Sequence, residues 1–136
     1  MSEETVYVTR SVDLPVPARE VWADIGGFQD IAEWHPAIVR SRPERAADLE
    51  YRHLTAADGA EFTEQLLDRG GHYYRYRINS SPLPVDHYES TFEVDSAGAG
   101  SRVTWSSSFT PTAPGAQEKV ADIYEAGLGA LRERFA

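Results

Sequence analysis

The chain has 136 residues, 41% hydrophobic and 26% charged, a length and composition that suit one globular domain with a sizeable core. A net charge of −9 leaves no basic footprint for nucleic acid or for an anionic membrane surface. The absence of cysteine removes disulfides, thiolate metal sites and cysteine nucleophiles together.

The polar start, MSEETVYVTR, lacks a signal-peptide pattern. No segment reaches the apolar length of a membrane span, so a cytoplasmic location is expected. Residues 5–14 alternate as a strand, Val6 and Val8 against Tyr7 and Thr9, and end at Pro15. Pro17 suits the first turn of a helix, where a missing N–H loses no partner. Val21, Trp22 and Ile25 then form the apolar stripe of a short helix that Gly26-Gly27 stops. Phe28, Ile31, Ala32 and Trp34 make a second short stripe, which Pro36 ends. Strands are expected at 37–42, 49–55, 60–68, 72–79, 86–95 and 101–109, with turns at Asp58-Gly59, Arg69-Gly70-Gly71 and 96–100. Short turns between consecutive strands imply antiparallel pairing, and therefore an α+β class. Residues 115–135 carry Val120, Ile123, Tyr124, Leu128 and Leu131 at helical spacing. A helix of about 20 residues is roughly 30 Å long, enough to cross the concave face of a curved sheet. With no repeat and no linker, the expected organisation is a single domain, 1–136.

Strand parity selects an inward face. Tyr74, Tyr76 and Ile78 alternate with Arg75 and Arg77; Tyr88, Ser90 and Phe92 alternate with Glu89 and Thr91. Val103, Trp105, Ser107 and Phe109 share one face, as do Phe62, Glu64 and Leu66. Strand 49–55 is ambiguous: Leu49, Tyr51 and His53 face one way and Leu54 the other. A dry core would be mostly Leu, Val and Ile, whereas this face holds tyrosines, serines, a tryptophan and a carboxylate. Buried polar groups need partners, and aromatic walls with a few polar groups are the mark of a small-molecule pocket.

The ordered set of VW…I…F…WHP…I at 21–38, ADG at 57–59 followed by Glu64, SPLPVDHY at 81–88, Trp105 with Phe109, and YEAGLGALRERF at 124–135 resembles the START/Bet v 1-like (SRPBCC) superfamily, in its polyketide cyclase/dehydrase and lipid-transport branch. The resemblance covers essentially the whole chain. It implies a helix-grip fold: a curved antiparallel sheet wrapped around a long C-terminal helix, with two short helices after the first strand and a pocket for an apolar molecule between sheet and helix. It also implies that His35 occupies a position which points into the cavity and is cationic in the plant-hormone-receptor pattern. Thr55–Gly59 and Ser80–Val85 match that pattern's two closing loops.

The expected function is binding or transport of a hydrophobic, aromatic, polyketide- or lipid-like molecule. The expected ligand contacts are His35, Phe62, Glu64 and Tyr76, with Tyr88, Ser90, Trp105 and the helical Tyr124. The alternative is a polyketide cyclase or dehydratase with His35 and Glu64 as acid/base groups. Burial should raise the Glu64 pKa, and His35 is expected to face Glu64 across the cavity, where it could stand neutral or as a cation paired with that carboxylate. The bland reading of His35 is a helix cap bonded to backbone. No metal site is expected, since the four histidines lack ligand spacing, and no cofactor motif is present. The expected partner is a small molecule, without nucleic acid or integral membrane association, for a monomer or homodimer.

Overall fold

The computed structural model describes residues 4–136; the first three residues of the polar N-terminal stretch lie outside them. Strand β1 (Val6–Leu14) passes through Pro15 and Pro17 into helix α1 (Ala18–Ile25). The Pro17 carbonyl accepts from Glu20 and Val21, so the proline stands just before the first helical residue. Ala18, Val21 and Ile25 lie three and four residues apart and form the buried stripe of α1. A 3-10 turn (Phe28–Asp30) follows, then the single turn α2 (Ile31–Trp34), which His35 closes by donating its backbone N–H to the Ile31 carbonyl.

Six strands come next: β2 (Ile38–Ala46), β3 (Leu49–Ala56), β4 (Glu61–Arg69), β5 (Tyr73–Ser80), β6 (Val85–Ala97) and β7 (Gly100–Pro111). All pairings are antiparallel and the sheet order is β1-β7-β6-β5-β4-β3-β2. Helix α3 (Ala116–Arg134) packs Val120, Tyr124, Leu128 and Leu131 inward. The architecture is the helix-grip α+β fold. Among the described residues no helix is long and apolar enough to cross a membrane.

One strand runs well past its expected end. Strand β2 continues past residue 42 through Pro43 to Ala46, because an edge strand tolerates a residue that cannot donate to the ladder. It turns through Ala47, whose φ of 56° puts a non-glycine residue in the left-handed region. The parity of β3 is resolved as well: Arg52 and Leu54 point inward, 0% and 3% exposed.

The core holds a connected cluster of aromatic rings among its aliphatic residues. Trp105 stacks on Tyr124 with ring centroids 4.5 Å apart, joining β7 to α3. Trp34 stacks on Phe92 at 5.3 Å, seating α2 on the sheet. These pairs fix where the helix lies. Toward β3 and β4 a cavity separates α3 from the sheet.

Candidate functional site

Between the concave face of β3–β7 and the N-terminal half of α3 lies an open cavity of about 530 Å³, within the range of small-molecule sites. Its interior wall includes Leu54, Phe62, Tyr76, Ile78 and Trp105. Its rim brings together Ala56–Asp58 from the β3–β4 loop, Pro82 and Leu83 from the β5–β6 loop, and Lys119 and Asp122 from α3. The two expected closing loops therefore stand at the mouth.

Of the eight expected contacts, His35, Phe62, Glu64, Tyr76, Tyr88, Trp105 and Tyr124 line this cavity. Ser90 does not. It stands one layer behind, within reach of the Tyr124 hydroxyl at 3.2 Å and donating to the Ser106 carbonyl at 2.8 Å.

His35 and Glu64 line the same cavity, as expected, but they do not form a polar pair. The partner of Glu64 is Arg52, whose Nε donates to Glu64 Oε1 at 2.8 Å. The Arg52 Nη1 donates to the Phe28 carbonyl at 2.6 Å. Its guanidinium lies 4.1 Å from the Phe28 ring centroid and 4.8 Å from that of Tyr76, in cation–π contact with both. Arg52 escaped the sequence reading because arginine is rarely fully buried without a partner. The available signal was the pairing rule itself. An inward carboxylate at Glu64 calls for a cation, and alternation from Leu54 puts Arg52 inward.

Burial pushes the Glu64 carboxyl above its usual range, while the charge and hydrogen bond of Arg52 pull it back. Burial also works against the Arg52 charge, but Tyr74 and Glu64 outweigh it, and the guanidinium pKa is raised. The two raised values pull the pair in opposite directions, and the guanidinium decides. An arginine stays protonated in proteins, and a buried cation needs its counter-charge, so the pair is read as ionic.

His35 is bound to backbone on both ring nitrogens. Its Nδ1 accepts from the Ala37 N–H at 3.1 Å, which leaves Nε2 to carry the hydrogen and donate to the Ile123 carbonyl at 2.8 Å. That fixes a neutral tautomer. Burial lowers the His35 pKa, and the charge of Arg52 adds to the effect. Of the two readings of His35, the backbone-bonded one describes this geometry: a neutral bracket between the α2 corner and α3.

A second polar group runs through Tyr76, Tyr88 and Tyr124. The Trp105 indole donates to the Tyr76 hydroxyl at 3.0 Å, Tyr76 and Tyr88 hydroxyls are 3.4 Å apart, and Tyr88 and Tyr124 hydroxyls are in direct contact. Burial raises the pKa of all three tyrosines, Tyr124 to about 12. They are neutral at physiological pH. Among the described residues no group of three or more His, Asp or Glu side chains could hold a metal.

The sequence matches the family described as polyketide cyclase/dehydrase and lipid transport over residues 5–136. No curated protein matches it. Among solved structures, it is similar to XoxI from Bacillus cereus, at 33% identity over 96% of this chain and 95% of that one, with a TM-score of 0.89. The fold is shared with the ZhuI aromatase/cyclase from Streptomyces sp. R1128, at 15% identity over 96% and 93% of the two chains and a TM-score of 0.73. It is shared too with Ara h 8.0201, at 14% identity over 97% and 98% and a TM-score of 0.75.

Proposed function

We propose that this chain, which belongs to the polyketide cyclase/dehydrase and lipid-transport family, binds a single hydrophobic, largely aromatic small molecule in the cavity between its sheet and α3. The observation that carries the reading is the cavity itself, about 530 Å³ with aromatic and aliphatic walls. That volume suits a compact molecule of drug-like size. The Arg52–Glu64 pair at its wall would orient the ligand, with His35, Phe62, Tyr76, Tyr88, Trp105 and Tyr124 in contact and Ser90 supporting Tyr124 from behind. In this reading residues 1–136 act as one cytoplasmic domain, monomeric or homodimeric, without a nucleic-acid partner.

A second reading, a cyclase or dehydratase, is favoured by one observation: Glu64 lines the cavity with a carboxyl raised by burial, the setting of a general acid or base. His35 is a weaker candidate for that work, since both its nitrogens hold backbone.

The test is a thermal-shift screen with aromatic, polyketide-like and lipid-like compounds. A ligand at 100 times its Kd should add about 2.7 kcal/mol of stability; a screen in which nothing stabilises the protein overturns the cavity reading. Glu64→Gln then separates the two readings. Retained binding with lost turnover of a bound compound supports the enzyme, and retained binding with no turnover by the parent protein supports the carrier.

A further inference from the structure

The hydroxyl chain behind the cavity has a single polarity. Ser90 Oγ donates to the Ser106 carbonyl, so the 3.2 Å contact between Ser90 and Tyr124 has Tyr124 as its donor. Each phenol has one proton. With that of Tyr124 engaged, Tyr88 donates to Tyr124 and Tyr76 donates to Tyr88. The Trp105 indole, which can only donate, closes the other end on Tyr76. A donor-only group and an acceptor-only carbonyl at the two ends fix the direction of every bond between them.

The remaining side-chain donors on the interior wall are engaged as well, with the exception of one Arg52 nitrogen. His35 Nε2–H holds the Ile123 carbonyl. Arg52 directs Nε to Glu64 and Nη1 to the Phe28 carbonyl. Its Nη2 has no hydrogen-bond partner and no accessible surface, and the guanidinium lies among the rings of Phe28, Tyr74 and Tyr76. One polar atom of the pair is left. Glu64 Oε1 is held by Arg52, whereas Oε2 has no side-chain partner, and Glu64 lines the cavity. An ionised carboxylate accepts hydrogen bonds and donates none.

We propose that the cavity selects an apolar aromatic molecule carrying a hydroxyl of the phenol or enol class, whose O–H donates to Glu64 Oε2. The proposal rests on the reading of the cavity as a binding site. A wall whose one unengaged donor, Arg52 Nη2, is shut in among rings, and whose acceptor is free, disfavours a carboxylate ligand, which would bring a second negative charge to Glu64 and find no accessible donor inside. It equally disfavours an ether, which brings only an acceptor. Lys119, the one lysine of the chain, is exposed at a rim that also carries Asp58 and Asp122, so these three charged groups of the mouth sum to a negative charge, which does not favour an anion.

Three probes of nearly one shape test this by isothermal titration at pH 7.5: 2-naphthol, 2-methoxynaphthalene and 2-naphthoate. A hydrogen bond to a charged group predicts that 2-naphthol binds about tenfold more tightly than either of the others. In the Arg52→Met/Glu64→Leu double variant, which replaces the pair by apolar groups of similar volume, the preference should shrink to within about twofold. Equal or tighter binding of the ether or the naphthoate to the parent protein overturns the proposal while leaving the cavity reading intact. A naphthol preference that survives in the folded double variant overturns the assignment to Glu64. If none of the three binds, the cavity reading falls and takes the proposal with it. The comparison on the parent protein stands even if the double variant fails to fold.

Discussion

At the scale of single residues, two buried polar groups decide how this site behaves. The Arg52–Glu64 pair is enclosed, with side chains 0% and 7% exposed, and such a pair is judged by what its removal leaves behind. Glu64→Leu strands a buried guanidinium and should destabilise the fold by about 3–5 kcal/mol. Arg52→Met/Glu64→Leu leaves no unpaired charge and should recover most of that loss, as urea unfolding of the three proteins would show. A double variant no more stable than Glu64→Leu would mean that the cation–π and Phe28 contacts, not the charge balance, hold Arg52 in place. His35 makes the complementary case in pH. Its pKa is lowered on folding, so the unfolded chain binds the proton more readily. Its contribution to stability is therefore complete above about pH 6.5 and is lost as pH falls through that value toward the folded one. Protonation would also place a hydrogen on Nδ1 against the Ala37 N–H. Unfolding free energies measured from pH 7.5 to 5 should fall more steeply for the parent than for His35→Gln, by up to about 1.4 kcal/mol per pH unit. Parallel curves would show that the bracket does not titrate in the native range.

At the scale of elements, α3 is held to the sheet by a close approach that only glycine allows. A Cβ on Gly127 would stand 2.7 Å from His35 Cδ2 and 3.0 Å from Trp105 Cζ3, while one on Gly129 meets nothing within 4 Å. The two glycines thus separate propensity from packing within one helix. Gly129→Ala should stabilise by about 0.5–1 kcal/mol, the ordinary gain of alanine over glycine in a helix. Gly127→Ala has the same gain available, but overpacking against His35 and Trp105 should reverse it to a net loss of about 1–3 kcal/mol. Chemical denaturation of the two variants reads the sign directly, and a stabilising Gly127→Ala would mean that α3 can lift off the corner at little cost. The elements themselves were legible because their signals are local. Glycine pairs, prolines and the 2.0 and 3.6 periods mark β1, α1, β4–β7 and α3 to within a few residues. The extension of β2 through Pro43 is not legible locally, because the edge position that makes the proline harmless is a property of the whole sheet. The pairing of Glu64 with Arg52 was hidden for a related reason. Parity assigned Glu64 to the inner face from its own strand, but β3 has polar residues on both faces, and only registration with β4 turns Arg52 inward.

At the scale of the whole molecule, the fold concentrates its packing at one end of the grip and leaves the other hollow. Trp34, Phe92, Trp105 and Tyr124 are in ring contact where α2 and α3 meet β6 and β7, and Val94 and Val103 pair across those strands fully buried. Toward β3–β5 the helix moves off the sheet, and the wall formed by Leu54, Phe62 and Ile78 faces open volume. Strand parity, with its aromatic and polar inward face, and the family resemblance together made a cavity legible from sequence. Its polar arrangement was not, because which hydroxyl donates to which depends on contacts between residues up to 36 positions apart, as in Tyr88 with Tyr124. This division into packed and hollow ends has a mechanical consequence. Adding volume in a close-packed interior costs about 1–3 kcal/mol, but adding it toward a void removes apolar surface from water at roughly 25 cal/mol per Å². Val103→Phe, at a fully buried position away from the cavity, should therefore destabilise by about 1–3 kcal/mol and leave the affinity for 2-naphthol within about twofold. Ile78→Phe, on the cavity wall and opposite Glu64 in the β4–β5 register, should be neutral or slightly stabilising, while weakening 2-naphthol about tenfold or more by filling the space it needs. Urea unfolding paired with titration calorimetry measures both quantities on each variant. A strongly destabilised Ile78→Phe would show that the cavity is collapsed in solution, and an unchanged affinity in a stable Ile78→Phe would place the ligand elsewhere on the protein.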